Sequence, residues 1–390
     1  MKQKRFLKWF LWLVLTAGLL AGCSQAAPAL EPTVTLEDCR LEGGRQAECG
    51  IVTVPENRAE ANGRQLDLAV TVLPAISNAA ASDPLFLLAG GPGQGAIDTF
   101  GPFASIFREI RQTRDLVLVD QRGTGDSNPL ICDSFDALPL DATEEEGFAA
   151  VAECRTVLEQ KADLAHYLTA TAAQDLEAVR LALGYEQISL FGVSYGTRLA
   201  LEYARQYPDS VRAMILDAVT GPEMVIFQDV GRDGQAALDY MFLRCIHDAA
   251  CAEQFPDLQT EYETILERLS TPQMTTFAHP FTGEKITLSV TRPLVSQIIF
   301  NLLYSPDTVS LLPLMIHQAY TENDYGTLVA QGMMSSANIE IADGLLYTIA
   351  CTEDAPILDE AAVEQTDFAV ITTDFLEVCE LWPQQTPDPA

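Results

Sequence analysis

The sequence predicts an α/β fold, a mostly parallel sheet interrupted by a helical insertion, and three observations carry that prediction. Short apolar runs at Leu85–Leu88, Asp115–Val119 and Val211–Leu216 have the continuous hydrophobicity of strands buried on both faces. The stretch Gln187–Gly196, QISLFGVSYG, is a further such strand that turns sharply at Ser194 into the helical stretch Thr197–Tyr207. Pro222–Tyr347 then loses the strand–helix rhythm and reads mostly as helices, clearest at Gln235–His247, Leu258–Leu269 and Val290–Tyr304.

Size and composition allow this. A chain of 390 residues can bury one large α/β core or a core with an insertion, and 48% hydrophobic with 20% charged residues is a globular composition. The formal net charge of −32 argues against nucleic acid or an anionic surface as a partner.

At the N-terminus, Lys2, Lys4, Arg5 and Lys8 lead into the apolar run Phe10–Leu20, too short for a good spanning helix, so residues 1–22 read as an export signal. The run ends in Leu20-Ala21-Gly22-Cys23, which resembles the lipobox of bacterial lipoproteins, and Cys23 is the expected lipidated first residue. Without residues 1–22 the chain keeps 19 basic against 55 acidic residues, a net −36, so the membrane attachment expected here rests on lipid and not on charge. Residues 23–34, small and proline-containing, read as a tether. Beyond Cys23 the cysteines number eight, an even count in an exported chain, which reads as a disulfide framework. Proximity suggests Cys39–Cys49, Cys132–Cys154, Cys245–Cys251 and Cys351–Cys379, one of 105 possible pairings. A metal site at Cys245, His247 and Cys251 matches no standard zinc spacing, and no metal or cofactor is expected.

The core is expected over residues 35–221. Cys49–Val54 and Leu66–Leu73 read as an antiparallel entry around an Asn62-Gly63 turn. The strand Leu85–Leu88 ends in Gly90-Gly91-Pro92-Gly93-Gln94-Gly95, a loop that lacks the Walker lysine and the Rossmann spacing of phosphate cradles. Asp115–Val119 runs into Asp120-Gln121-Arg122-Gly123-Thr124-Gly125 at the sheet edge where sites assemble, with Arg122 expected to tie loops together. The acidic run Asp141–Glu146 reads as a solvated loop, and Thr169–Leu183 as a helix with Leu176, Val179 and Leu183 facing the core.

The pattern Gly192-x-Ser194-x-Gly196 between strand and helix is that of a nucleophile elbow. The turn lifts the serine hydroxyl above the sheet, and the small flanking residues avoid clashes with neighbouring elements. Ser194 is therefore the candidate nucleophile. The chemistry needs two amide donors for a developing oxyanion, and the loop after the Leu85–Leu88 strand and the residue after the nucleophile supply them. Pro92 has no N–H, so Gly91 and Tyr195 are the candidates.

GGPGQG, DQRGTG, GVSYGT and the strand ending in LDAV, in this order, resemble the proline iminopeptidase and tripeptidyl aminopeptidase group of α/β-hydrolases, secreted serine exopeptidases. Ala89 stands where proline iminopeptidases carry a histidine, which suits the tripeptidyl branch better. The resemblance runs from about Cys39 to Trp382. It implies a peptide substrate, release of residues or short peptides from free N-termini through an acyl-enzyme on Ser194, and a helical cap over residues 222–347. Exopeptidases of this type need an acidic anchor for the substrate ammonium. Glu353 and Asp354 are the candidates, against the plainer reading that they are surface acids. Phe227, Tyr240, Phe242, Phe300 and Tyr304 could line a pocket, although helical spacing favours core positions.

A serine nucleophile needs a base, and none of the four histidines suits. His247 lies among cysteines, His279 in an Ala-His-Pro turn, His317 in a helix-like stretch and His166 at a helix entrance, none of them following a strand. Asp217, at the end of the Val211–Leu216 strand, has no histidine to orient and reads as structural. Relatives resembling this sequence continue past Cys379–Pro383 into two strands carrying the acid and the histidine, so residues 348–390 are expected to be a return segment of a core lacking its last strands. The expectation is a truncated or split reading frame, a second chain carrying the rest, or a retained scaffold. The alternatives to a peptidase are a non-catalytic surface binding lipoprotein and an esterase.

Overall fold

The computed structural model describes residues 32–384 apart from 61, 140, 337–339 and 364–365. Residues 1–22, expected to be an export signal, Cys23, most of the expected tether and the last six residues lie outside the described residues. Nine strands are described: β1 (Glu37–Arg40), β2 (Gln46–Pro55), β3 (Gln65–Leu73), β4 (Leu85–Leu88), β5 (Leu116–Val119), β6 (Ile188–Val193), β7 (Val211–Asp217), β8 (Gln273–Ala278) and β9 (Lys285–Val290). The longer helices, with one short one that matters to the site, are α1 (Ala96–Phe100), α2 (Glu144–Lys161), α3 (Thr169–Ala182), α4 (Tyr195–Gln206), α5 (Val230–His247), α6 (Leu258–Arg268), α7 (Arg292–Leu302), α8 (Leu312–Glu322), α9 (Gly326–Ser336), α10 (Asp343–Ile349) and α11 (Ala369–Leu381).

Seven strands form one sheet in the order β1-β2-β3-β5-β4-β6-β7. The first three are antiparallel, while β4 pairs parallel with β5 and β6, and β6 with β7. Alternation along β4 and β5 sends Phe86, Leu88, Val117 and Val119 into a core beneath α3 and α4, and Leu85, Leu87, Leu116 and Leu118 into a second core against α1. This explains why the parallel strands are apolar without interruption.

The other end of the sheet differs. In β7, Met214 and Ile215 pair with Leu190 and Phe191 of β6 and so point to opposite faces, yet they are 38% and 50% exposed. No described strand pairs with the outer edge of β7. A strand written like a buried one is here a bare edge.

A third core, from Leu238 to Phe368, belongs to the insertion and reaches beyond the expected boundary at 347. The insertion is not all helix: β8 and β9 form an antiparallel hairpin, with Thr282-Gly283 in its turn and Gly283 at φ 73. The hairpin corrects the reading of the histidines, since His279 directly follows β8. The acidic run is also corrected in part. Thr143 and Glu146 form a reciprocal capping box, so Glu144–Glu146 open α2, where their charge also suits the helix dipole. Of the aromatics, Phe242 is buried in the insertion core and Phe227 stacks on Phe375 at 4.3 Å, whereas Tyr240 and Tyr304 are 64% and 77% exposed. The disulfides are Cys39–Cys49, Cys132–Cys154, Cys245–Cys251 and Cys351–Cys379. With both sulfurs of Cys245 and Cys251 bonded to each other, the metal reading there is closed. No helix among the described residues is long and apolar enough to cross a membrane.

Candidate active site

Ser194 sits between β6 and α4 at φ 54, ψ −125, a conformation outside the regions that side chains ordinarily adopt. Its neighbours show why the motif needs glycine. A Cβ on Gly192 would lie 2.4 Å from the carbonyl oxygen of Gly196, and one on Gly196 would lie 2.3 Å from that of Leu88. The strand, turn and helix therefore pack backbone against backbone, and the half-buried serine is left above the sheet.

Two clasps fix the turn. The Ser194 amide donates to Asp217 O at 2.9 Å, and the Thr197 hydroxyl donates to Ser194 O at 2.6 Å while accepting from the Thr220 amide at 2.8 Å. Ala218, at φ 51, turns the chain at the end of β7 beside this clasp. Asp217 thus contributes its carbonyl, and its side chain is exposed.

The loop Gly90–Gly95 crosses in front of the serine, and a Cβ on Gly90 would lie 3.1 Å from Ser194 Cβ. Gly91 and Gly93 have φ of 101 and 114, which other residues rarely adopt. Tyr195 is the first residue of α4, so its amide is one of those a helix leaves without an internal acceptor. The loop also borders a cleft of about 1040 Å³ through Gly93, Gln94 and Gly95, and Glu42, Arg45, Asp98 and Glu340 are among its other lining residues.

Behind the elbow lies a polar network absent from the sequence expectations. The Tyr195 hydroxyl, in a fully buried ring, is 2.8 Å from Thr169 Oγ1 and accepts from Gln121 Nε2 at 3.4 Å. Glu353 accepts from the Thr169 amide at 2.8 Å and from its hydroxyl at 2.7 Å, capping α3 from a distant segment. Arg198 of α4 pairs with Asp354 at 2.9 Å. Burial pushes both carboxyls up from their usual range, against the pull of Thr169 on Glu353 and of Arg198 on Asp354. These contacts differ from the open anchor expected of Glu353 and Asp354. Asp354 is 1% exposed and ion-paired, and Glu353 is bonded inward. Both tie the turn Ala350–Asp354 to α3 and α4. No pattern in the sequence reveals such a tie, because its partners are 156 to 184 positions apart.

Arg122 joins loops as expected: it is wholly buried, bidentate to Asp175, and donates to the carbonyls of Glu56 and His166. The histidines lie elsewhere. His317 Nδ1 is 3.0 Å from the Glu261 carboxylate in the insertion, His279 accepts from Phe281 and Thr282 amides in the hairpin turn, His166 is 3.6 Å from Asp163, and His247 is exposed at the end of α5. None of the four is hydrogen-bonded to Ser194 among the described residues.

A model of the alpha/beta hydrolase fold matches residues 83–271, the segment that contains β4–β7, the glycine loop and the elbow. Residues 83–271 thus have the α/β-hydrolase fold. The chain is 28% identical to serine protease Hip1 of Mycobacterium tuberculosis over 436 aligned positions, 98% of this chain and 82% of that protein. It is 29% identical to a tripeptidyl aminopeptidase of Streptomyces coelicolor over half of this chain and 40% of that one, and 30% identical to a proline iminopeptidase of Neisseria gonorrhoeae over 35% of this chain and 32% of that one. Among solved structures, a proline iminopeptidase of Mycobacterium smegmatis aligns at TM-score 0.32 and 21% identity, covering 57% of this chain and 61% of that one. The chain thus has the α/β-hydrolase fold and is similar to serine peptidases.

Proposed function

We propose that the chain is an extracytoplasmic serine peptidase that attacks a peptide carbonyl through Ser194, forming an acyl-enzyme, with the Gly91 and Tyr195 amides stabilising the oxyanion. The observation that carries this reading is the strained, half-buried Ser194 with the Gly90 backbone beside it. The names of the relatives favour a peptide approached from its N-terminus, and the carboxylates Glu42, Asp98 and Glu340 in the neighbouring cleft suit a substrate ammonium. Four disulfides favour an oxidising compartment, and the lipobox-like Leu20–Cys23 favours attachment through lipid on Cys23.

The base and the acid are proposed to reach Ser194 from strands added at the edge of β7, whose apolar residues on both faces fit a covered strand and not a sheet margin. A fluorophosphonate probe is the measurement: it should label Ser194 slowly in the chain alone, faster with free imidazole as a substitute base, and not in Ser194→Ala. Absence of labelling under all conditions would favour the second reading, a peptide-binding lipoprotein on a hydrolase scaffold. Turnover of acyl esters without turnover of aminoacyl anilides would favour an esterase.

A further inference from the structure

Asp120 follows β5, and the two glycine-rich loops close around its carboxylate. Oδ1 accepts from the Ile97 amide at 2.9 Å, two residues after the Gly90–Gly95 loop, and Oδ2 accepts from the Asp126 amide at 3.1 Å in the second loop. A Cβ on Gly95 would lie 3.2 Å from Oδ1, and one on Gly125 only 2.1 Å from Oδ2. One glycine in each motif is therefore explained by a single side chain 1% exposed.

We propose that Asp120 is the positioning residue of the oxyanion loop, holding the Gly90–Gly95 segment at its downstream end so that the Gly91 amide faces Ser194. This rests on the reading of Gly91 as an oxyanion donor. Two contacts from outside the loop and α1 tether it: the Ala342 amide donates to Gly93 O at 2.9 Å, and Asp120 holds the exit at Ile97, beside the helical bond from the Thr99 amide to Gly95 O at 3.1 Å. Without the second tether, the strained glycines lose the contact that fixes where the loop rejoins α1.

The clamp is also a proton sensor. Among the described residues Asp120 has no cationic partner. The charged groups facing it are Asp98 of α1 and Asp126 of its own loop, both acidic, while Asp175 of α3, lining the same small cavity, is neutralised by Arg122 and Arg58. Burial first, with Asp98 and Asp126 adding to it, pushes the carboxyl up to about 6, although the two amides pull it down. Above that pH both amide bonds are charge-assisted, and below it one oxygen carries a proton and the grip on both loops weakens.

The test is an amide NMR titration of glycine-labelled protein from pH 8 to pH 5, which requires no catalysis and so succeeds or fails apart from the peptidase reading. Gly91, Gly93, Gly95 and Gly125 should move together with a midpoint near 6, while Gly147 and Gly184, which stand in open space, stay still. Asp120→Asn should abolish that shared transition with the remaining spectrum intact. It should also slow probe labelling of Ser194 at least tenfold at pH 7.5 and flatten its pH profile near 6. Movement of Gly95 and Gly125 without Gly91, or the same transition in Asp120→Asn, would overturn the proposal. If Asp120→Asn does not fold, the wild-type titration decides alone.

Discussion

The amide of Ser194 donates to the carbonyl of Asp217 at 2.9 Å, so the candidate nucleophile is fastened to the last residue of β7, the exposed edge strand. Thr197 completes the fastening through Thr220. The most sensitive point of the site is thereby attached to the least protected part of the sheet.

Thr197→Val tests that fastening. The isosteric change removes one hydroxyl that serves Ser194 O and Thr220 N, and leaves the latter without its partner. A loss of about 1–3 kcal/mol in urea unfolding is expected, with slower probe labelling of Ser194. Unchanged labelling would mean that the clasp stabilises the fold without aiming the serine.

Two glycines should respond in opposite directions. Gly196→Ala forces a methyl against the Leu88 carbonyl, and a loss of about 3 kcal/mol is expected. Gly147→Ala lies inside α2 with nothing within 4 Å and an ordinary φ, and a gain of about 0.5–1 kcal/mol is expected. Thermal unfolding of the two variants side by side checks both.

The Asp120 carboxyl, pushed up to about 6 from 3.8, binds its proton more tightly folded than unfolded. Its contribution to stability is therefore present at low pH and lost as pH rises through about 6. The wild type should gain about 2.4 kcal/mol relative to Asp120→Asn between pH 7.5 and pH 4. Subtracting the variant cancels the other carboxylates. A constant difference across this range would show that the carboxyl titrates normally.

Ile215→Lys places a charge on the open margin of the sheet, where Ile215 is half exposed. Light scattering of the concentrated chain should show less self-association than for wild type, with unfolding within about 0.5 kcal/mol. If added strands cover β7, the same change should prevent their docking.

The elbow was legible in the sequence because its steric demands are local: Gly192, Ser194 and Gly196 answer to atoms within a few residues and the strand alongside. The parallel strands were legible because burial on both faces leaves continuous apolar runs. The β8–β9 hairpin was not, since its short alternation, Gln273–Ala278 and Lys285–Val290, is embedded among helices and resembles an irregular loop. Thr143 and Glu146 carry a capping signal that the surrounding acidity obscured. The roles of Asp120, Glu353 and Asp354 were hidden for a different reason. An acid's environment depends on chain segments that converge only in three dimensions, and each of these acids looked like one of 55.

The eight disulfide cysteines pair strictly in order, each with the next in the chain, and the largest separation is 28 residues. If the chain is exported as proposed, every bridge can close soon after its second sulfur crosses the membrane, before later cysteines arrive to compete. An oxidant acting on the emerging chain would then suffice, and a disulfide-shuffling isomerase would not be needed for the native linkage.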